Sequence, residues 1–370
     1  VRVFYAMKAN SNLSILKILL EEGAFLDTVS PGEIYLGLKA GYPSSRIMYT
    51  GTNVSRSELK YAVEAGVTVN IDSITEVKSL LELSKPTIIS VRLNPEVGAG
   101  HHEHVITGGR GSKFGLLRDD AVVAYSMAVE MGVERFGVHM HIGSGILDVN
   151  PFLEALEHFM DLVGSIKETV NIKFEFIDIG GGLGVPYRPD EEELDLDEFA
   201  SKVIELFKEK LSEYSLGKPT LCLEPGRYLV ADSTVLLTKV NTVKKTPYRT
   251  FIGVDAGFNT LIRPCMYGAY HHILVSGRSE DKGRIECDVV GPLCESGDFL
   301  ARERILPIVE EGDVLVILNA GAYGYSMSSE YNSRPKPAEV LVKEGRHELI
   351  REGGRIEELV KGQRVASWLN

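Results

Sequence analysis

A chain of 370 residues is more than twice the roughly 150 of a typical domain, so one large barrel or two domains are expected. Apolar residues make up 44% and charged ones 25%, which excludes the disordered and fibrous classes. With 52 acidic against 40 basic residues the net charge is −12, and nucleic acid is excluded as a general partner, because phosphate contacts need a basic surface.

The chain opens directly on the apolar segment Val1-Arg2-Val3-Phe4-Tyr5, as though something upstream were missing. Its first residues show no basic, apolar and small-residue leader pattern, and no run approaches the roughly 18 apolar residues of a membrane helix. The expectation is a cytoplasmic protein with no membrane partner. Cys222, Cys265, Cys287 and Cys294 have neither CxxC spacing nor the density of a disulfide scaffold, so reduced thiols and no metal ligation are expected.

In chain order, β-prone runs are expected at 3–6, 24–28, 47–49, 68–71, 87–93, 135–141, 174–179 and 220–223. Amphipathic helices are expected near 11–22, 31–40, 55–65, 73–83, 119–131, 150–169 and 195–214. Strand and helix repeated this often make a parallel sheet, and about eight units close into a TIM-like (β/α)8 barrel, with a doubly wound open sheet as the alternative. After Glu224 the texture changes to β-rich runs at 228–240, 249–254, 271–275, 285–290, 314–319, 338–342 and 347–351, parted by Gly, Pro and Asp. The expected division is a barrel over 1–227 and an all-β, sandwich or barrel-like domain over 228–370. The eighth strand reads as having no helix after it, a place that an upstream helix would fill.

Barrels gather functional groups at the C-terminal ends of their strands. There the sequence places Lys8, Asp27, Arg92 with Asn94, His141, Gly180-Gly181-Gly182, and Glu224-Pro225-Gly226-Arg227. The glycine cluster opens backbone N–H groups to an anion such as phosphate; the plain alternative is a tight turn. A dinucleotide fingerprint is disfavoured, because the cluster follows the seventh strand, where barrels commonly bind a single phosphate. A lysine at a barrel mouth against apolar walls is suited to Schiff-base chemistry. Lys8 and a phosphate cradle together suggest pyridoxal phosphate.

Several motifs then carry a resemblance: Tyr5-Ala6-Met7-Lys8-Ala9-Asn10, His139-Met140-His141-Ile142-Gly143-Ser144, Gly180-Gly181-Gly182, Glu224-Pro225-Gly226-Arg227 and Gly291-Pro292-Leu293-Cys294-Glu295-Ser296-Gly297-Asp298. In this order they resemble the barrel-type pyridoxal-phosphate decarboxylases, the group akin to alanine racemase and ornithine decarboxylase, and within it the diaminopimelate decarboxylases. The resemblance implies that Lys8 holds the cofactor covalently and that Glu224 keeps its pyridine nitrogen protonated. It implies that His141 stacks on the ring, and that Ser144, the glycine N–H groups, Gly226, Arg227 and Tyr323 surround the phosphate or the substrate beside it. It implies further that Asp27 orients the lysine or the ring environment, that Cys294 delivers a proton after CO2 departs, and that the Cys294 loop reaches the active site of the other subunit of a homodimer.

The implied reaction, decarboxylation of meso-2,6-diaminopimelate at its D-centre to give L-lysine, is the last step of lysine biosynthesis. Its substrate carries a second amino-acid head group. Arg263 and Tyr267, with Arg227, could meet the distal carboxylate and Glu295 the distal ammonium. Related decarboxylases of D-ornithine or D-lysine need only acid at that end, where a buried arginine would repel the substrate. A cofactor-binding homologue without turnover would be expected to lack Lys8 or Cys294. An alanine racemase, the remaining alternative on fold grounds, would want a tyrosine base opposite the lysine.

Overall fold

Ser30 accepts a hydrogen bond from the Glu33 amide, Pro31 takes the first turn, and Gly41 closes the segment in the left-handed region at φ +99°; the helix between them spans Pro31–Ala40. Punctuation of this kind recurs through the first half of the chain. The computed structural model describes residues 1–96, 109, 111–277 and 283–369. Contacts divide the chain into two compact units, Val1–Asp232 and Ser233–Asn370.

In the first unit eight parallel strands close into a barrel in sequence order: β1 (Arg2–Ala6), β2 (Phe25–Thr28), β3 (Ile47–Tyr49), β4 (Thr68–Ile71), β5 (Ile88–Arg92), β6 (Arg135–His139), β7 (Phe174–Asp178) and β8 (Thr220–Leu223). β1 pairs with β8 through Arg2–Cys222 and Val3–Leu223, which closes the ring and excludes the open sheet. The connecting helices are α1 (Leu13–Glu21), α2 (Pro31–Ala40), α3 (Arg56–Ala65), α4 (Ile74–Leu83), α5 (Arg118–Glu130), α6 (Asn150–Val170) and α7 (Leu196–Glu213). The longest, α6, buries Phe152, Leu156, Phe159, Met160 and Val163, the spacing of one helical face.

Two expectations about the end of the barrel need correction. A single helical turn, α8 (Arg227–Val230), follows β8, and the strand expected at 228–240 starts only at Leu236. The apolar Tyr228-Leu229-Val230 reads equally well as strand or helix in so short a run, and the helical turn prevails. A cavity of about 610 Å³ opens at the strand starts, lined by Arg2, Phe4, Phe25, Ile88, Arg135 and Phe176, at the end of the barrel away from the functional loops.

The second unit is mostly sheet. Six strands, β9 (Leu236–Lys245), β10 (Thr250–Val254), β11 (Ile273–Val275), β12 (Arg284–Val290), β13 (Phe299–Pro307) and β14 (Val314–Ile317), are ordered β11-β14-β9-β10-β12-β13. All pairs are antiparallel except β10 with β12. Val240, Ile252, Val289, Leu300, Leu315 and Ile317 form the centre of its core. A hairpin of β15 (Glu339–Lys343) and β16 (Arg346–Arg351) stands beside it in sequence. The unit is not wholly β, for α9 (Arg263–Tyr267) interrupts it, begun by Pro264 and ended by Gly268. Among the described residues no helix is long and apolar enough to cross a membrane.

Candidate active site

Phe4, Met48, Phe176 and Cys222 pack together inside the barrel, with Phe25 against them. Side chains two residues further along a strand share its face, so the next level toward the C-terminal mouth holds Asp27, His139, Asp178 and Glu224. All four are buried. Lys8 follows β1 and brings Nζ to 3.3 Å from Asp27 Oδ2, its side chain 37% exposed.

Buried charges at this level must be compensated, because desolvation disfavours each charged form. Glu224 Oε2 lies 2.9 Å from His139 Nε2. Burial pushes the Glu224 carboxyl up, but the His139 contact and the positive Lys8 together outweigh it and hold the group at about 2, ionised. Asp178 goes the other way: burial and the neighbouring Glu224 charge push its carboxyl well up, although its Oδ1 accepts the Gly180 N–H at 2.8 Å. Burial and Glu224 also raise Asp27, against the pull of Lys8. Of these three acids only Glu224 is held below its ordinary value.

His141 sits two residues beyond His139 and accepts the Gly181 N–H at Nδ1, 3.1 Å away. Loss of hydration, then the cations Lys8 and Arg92, hold it well below the ordinary histidine value, so the imidazole is neutral. The glycines between β7 and α7 have a packing reason of their own. A Cβ on Gly180, at φ +72°, would collide with the Met140 carbonyl oxygen, and one on Gly181 with that of Glu224. Loops after β6, β7 and β8 can converge only if these positions lack side chains.

Arg227, buried at the start of α8, donates from Nη1 to the Tyr187 hydroxyl at 2.7 Å and from Nη2 to Ser144 Oγ at 3.2 Å. A Cβ on Gly226 would press on the Ala6 carbonyl oxygen at 3.0 Å. The first unit therefore assembles Lys8, Asp27, His141, Ser144, Gly180–Gly182, Glu224, Gly226 and Arg227 around one mouth. Sequence reasoning missed His139, Asp178 and Tyr187 as members. The alternation of His139 with His141 was the available signal for the first, and the position of Asp178 directly before the glycines for the second.

The other expected residues lie in the second unit. Arg263 is 2% exposed and contacts His271 Nε2 from Nη1 at 2.8 Å, while His271 Nδ1 meets the Leu318 carbonyl at 2.8 Å. Because Arg is a donor only, His271 Nε2 accepts and its Nδ1 carries the hydrogen. Tyr267 ends the same short helix, half-buried. Cys294 and Glu295 are exposed on a loop held by Asp298, which accepts from the Phe258 amide at 2.7 Å and the Leu293 amide at 2.8 Å. The Cys294 amide donates to Asn332 Oδ1 at 2.8 Å. Tyr323 has φ +57°, a left-handed conformation that costs a non-glycine residue about 1–2 kcal/mol.

Residues 1–231 match the pyridoxal-binding domain of the pyridoxal-dependent decarboxylases. Diaminopimelate decarboxylase of Methanothermobacter thermautotrophicus is 57% identical over 369 residues, covering 100% of this chain and 86% of that protein. The chain belongs to the diaminopimelate decarboxylase family. A solved diaminopimelate decarboxylase from M. jannaschii in complex with L-lysine is 38% identical, with a TM-score of 0.92 over 100% of this chain and 86% of that one. A lysine/ornithine decarboxylase from Vibrio vulnificus, 22% identical with a TM-score of 0.77, shares the fold.

Pyridoxal phosphate, the cofactor of the diaminopimelate decarboxylase family, fits the residues present. Glu224 Oε1 is buried and has no hydrogen-bond partner among the described residues. An unpartnered oxygen on an ionised, enclosed carboxylate is costly unless a donor arrives, and a protonated pyridine nitrogen is such a donor. The converging glycine loops and the Arg227–Ser144 pair provide the polar, side-chain-poor surroundings that a phosphate requires.

Proposed function

We propose that this chain is a cytoplasmic diaminopimelate decarboxylase that removes the carboxylate at the D-centre of meso-2,6-diaminopimelate and leaves L-lysine. The observation that carries the reading is the ionised Glu224 with an open oxygen at the same barrel level as Lys8. Relatives from Helicobacter pylori and M. jannaschii hold L-lysine in their solved complexes, in keeping with lysine as product.

When bound, pyridoxal phosphate accepts the electron pair left at the substrate α-carbon as CO2 departs. The chain's residues do the rest. Lys8 holds the cofactor, with Asp27 orienting its amine. Glu224 keeps a proton on the ring nitrogen, and the neutral His141 offers a flat, uncharged face to the ring. Ser144, Gly180, Gly181, Gly182, Gly226 and Arg227 would bind the phosphate, and Tyr323 is assigned to the phosphate or the substrate beside it. Cys294 returns a proton to the α-carbon. Arg263 and Tyr267 bind the distal carboxylate and Glu295 the distal ammonium. CO2 release measured side by side on meso-diaminopimelate, D-lysine and L-ornithine tests this. Turnover confined to the first is expected; equal turnover of D-lysine would favour the decarboxylases of simpler basic amino acids.

The active form is a homodimer with shared sites, in which Cys294 and Glu295 serve the partner's lysine. Lys8→Ala and Cys294→Ala subunits, each inactive alone, are then expected to regain activity when mixed. Random exchange makes about half the dimers mixed, each with one intact site of two, so about a quarter of wild-type activity returns. No recovery in mixed dimers confirmed by native mass spectrometry would place both groups in one chain.

A further inference from the structure

The reaction assigns no task to two members of the charged barrel level, Asp178 and His139, and of these His139 is the one that touches Glu224. Its ring is fully buried, its Nε2 is 2.9 Å from Glu224 Oε2, and its Nδ1 has no partner among the described residues. A carboxylate can only accept, so Nε2 carries a hydrogen. A residue that merely filled this space could be apolar; the ring is turned so that its donor meets the carboxylate.

We propose that His139 is a positioning residue: its Nε2–H grips Glu224 Oε2, fixes the carboxylate plane, and leaves Oε1 as the oxygen that faces the cofactor's ring nitrogen. This rests on the assignment of Glu224 to that nitrogen and adds the residue on which Glu224 depends. The charges facing Glu224 show why it needs one. Lys8 beyond β1, Arg92 at the end of β5 and His141 beyond β6 are basic, whereas Asp27 on β2 and Asp178 on β7 are acids. β6 and β7 pair in register at His139 and Asp178, so the donor and the competing acid occupy adjacent positions on neighbouring strands. His139 is foremost among the groups that hold Glu224 ionised against burial. Without it, burial and two nearby acids would act on a carboxylate whose Oε2 has lost its donor.

The test uses holoenzyme loaded with pyridoxal phosphate labelled with ¹⁵N in the ring, whose nitrogen signal distinguishes a protonated from an unprotonated ring. The wild type is expected to show the protonated signal, His139→Leu a shift to the unprotonated position, and His139→Gln, whose amide can still donate to Oε2, a return to the wild-type signal. A purely structural role would lower the melting temperature of both variants and leave the ring signal unmoved, and that result overturns the proposal. Glu224→Gln separates the two levels of the argument. A signal it leaves unchanged would sink the assignment of Glu224 itself, whereas one moved by Glu224→Gln and not by His139→Leu would sink only the role of His139. If His139→Leu does not fold, the ¹⁵N-histidine spectrum of the wild type decides: a hydrogen on Nε2 of His139 supports the clamp, and one on Nδ1 alone overturns it.

Discussion

Lys8→Ala is expected to abolish activity and, with it, the covalent adduct that borohydride traps between cofactor and protein. The wild-type protein should be yellow, and mass spectrometry of its reduced form should place the added mass on the peptide containing Lys8. The lysine follows a buried strand, its Nζ lies 3.3 Å from Asp27 Oδ2, and Glu224 shares its barrel level. It is thus a partly exposed amine in an otherwise enclosed charged layer, reachable by an aldehyde and held in place by a carboxylate. The variant also removes the cation nearest Asp27, whose carboxyl should then be pushed further up. An adduct found on another lysine would refute the assignment.

Arg263→Ala should damage turnover of diaminopimelate while leaving cofactor content near that of the wild type. Truncating one partner of a buried, charge-assisted contact costs about 2–5 kcal/mol, so kcat/KM should fall by about one and a half to three and a half orders of magnitude. Arg263 is almost completely enclosed and rests on His271, so its removal also breaks a buried contact inside the second unit. The substrate separates the two effects. A loss specific to diaminopimelate, with any slow turnover of D-lysine spared, reports the distal carboxylate. An equal loss on both, together with a lower melting temperature, reports damaged packing, and unchanged kcat/KM places Arg263 outside the pocket.

Where punctuation was explicit the fold was legible to the residue. The helix at 31–40 is bounded by Ser30-Pro31 and Gly41, and the strands at 47–49, 68–71 and 220–223 are short apolar runs between polar turns. Other expected strands overrun the observed ones where apolar residues continue into functional loops, as beyond His139 and Asp178. β13 was not foreseen, because Arg302-Glu303-Arg304 breaks its alternation and Glu303 sits at φ +52°. The site was legible where chemistry follows a strand within a few residues. His139 escaped notice because its meaning lies in Glu224, 85 positions away, and pairings of that range follow from barrel closure rather than from local pattern.

Asp27 Oδ1, Asp178 Oδ2 and Glu224 Oε1 are all buried without a partner among the described residues, in one barrel. Such oxygens are a liability in an empty barrel and an asset in a loaded one, because a ligand that satisfies any of them stabilises the folded form through linkage. The choice of selection conditions for a hardier catalyst follows from this. Variants screened for heat resistance without cofactor will accumulate apolar replacements at Asp27, Asp178 and Glu224, gaining melting temperature by discarding chemistry. Variants screened in the presence of saturating cofactor will retain these acids and improve elsewhere, in the helices and loops around them.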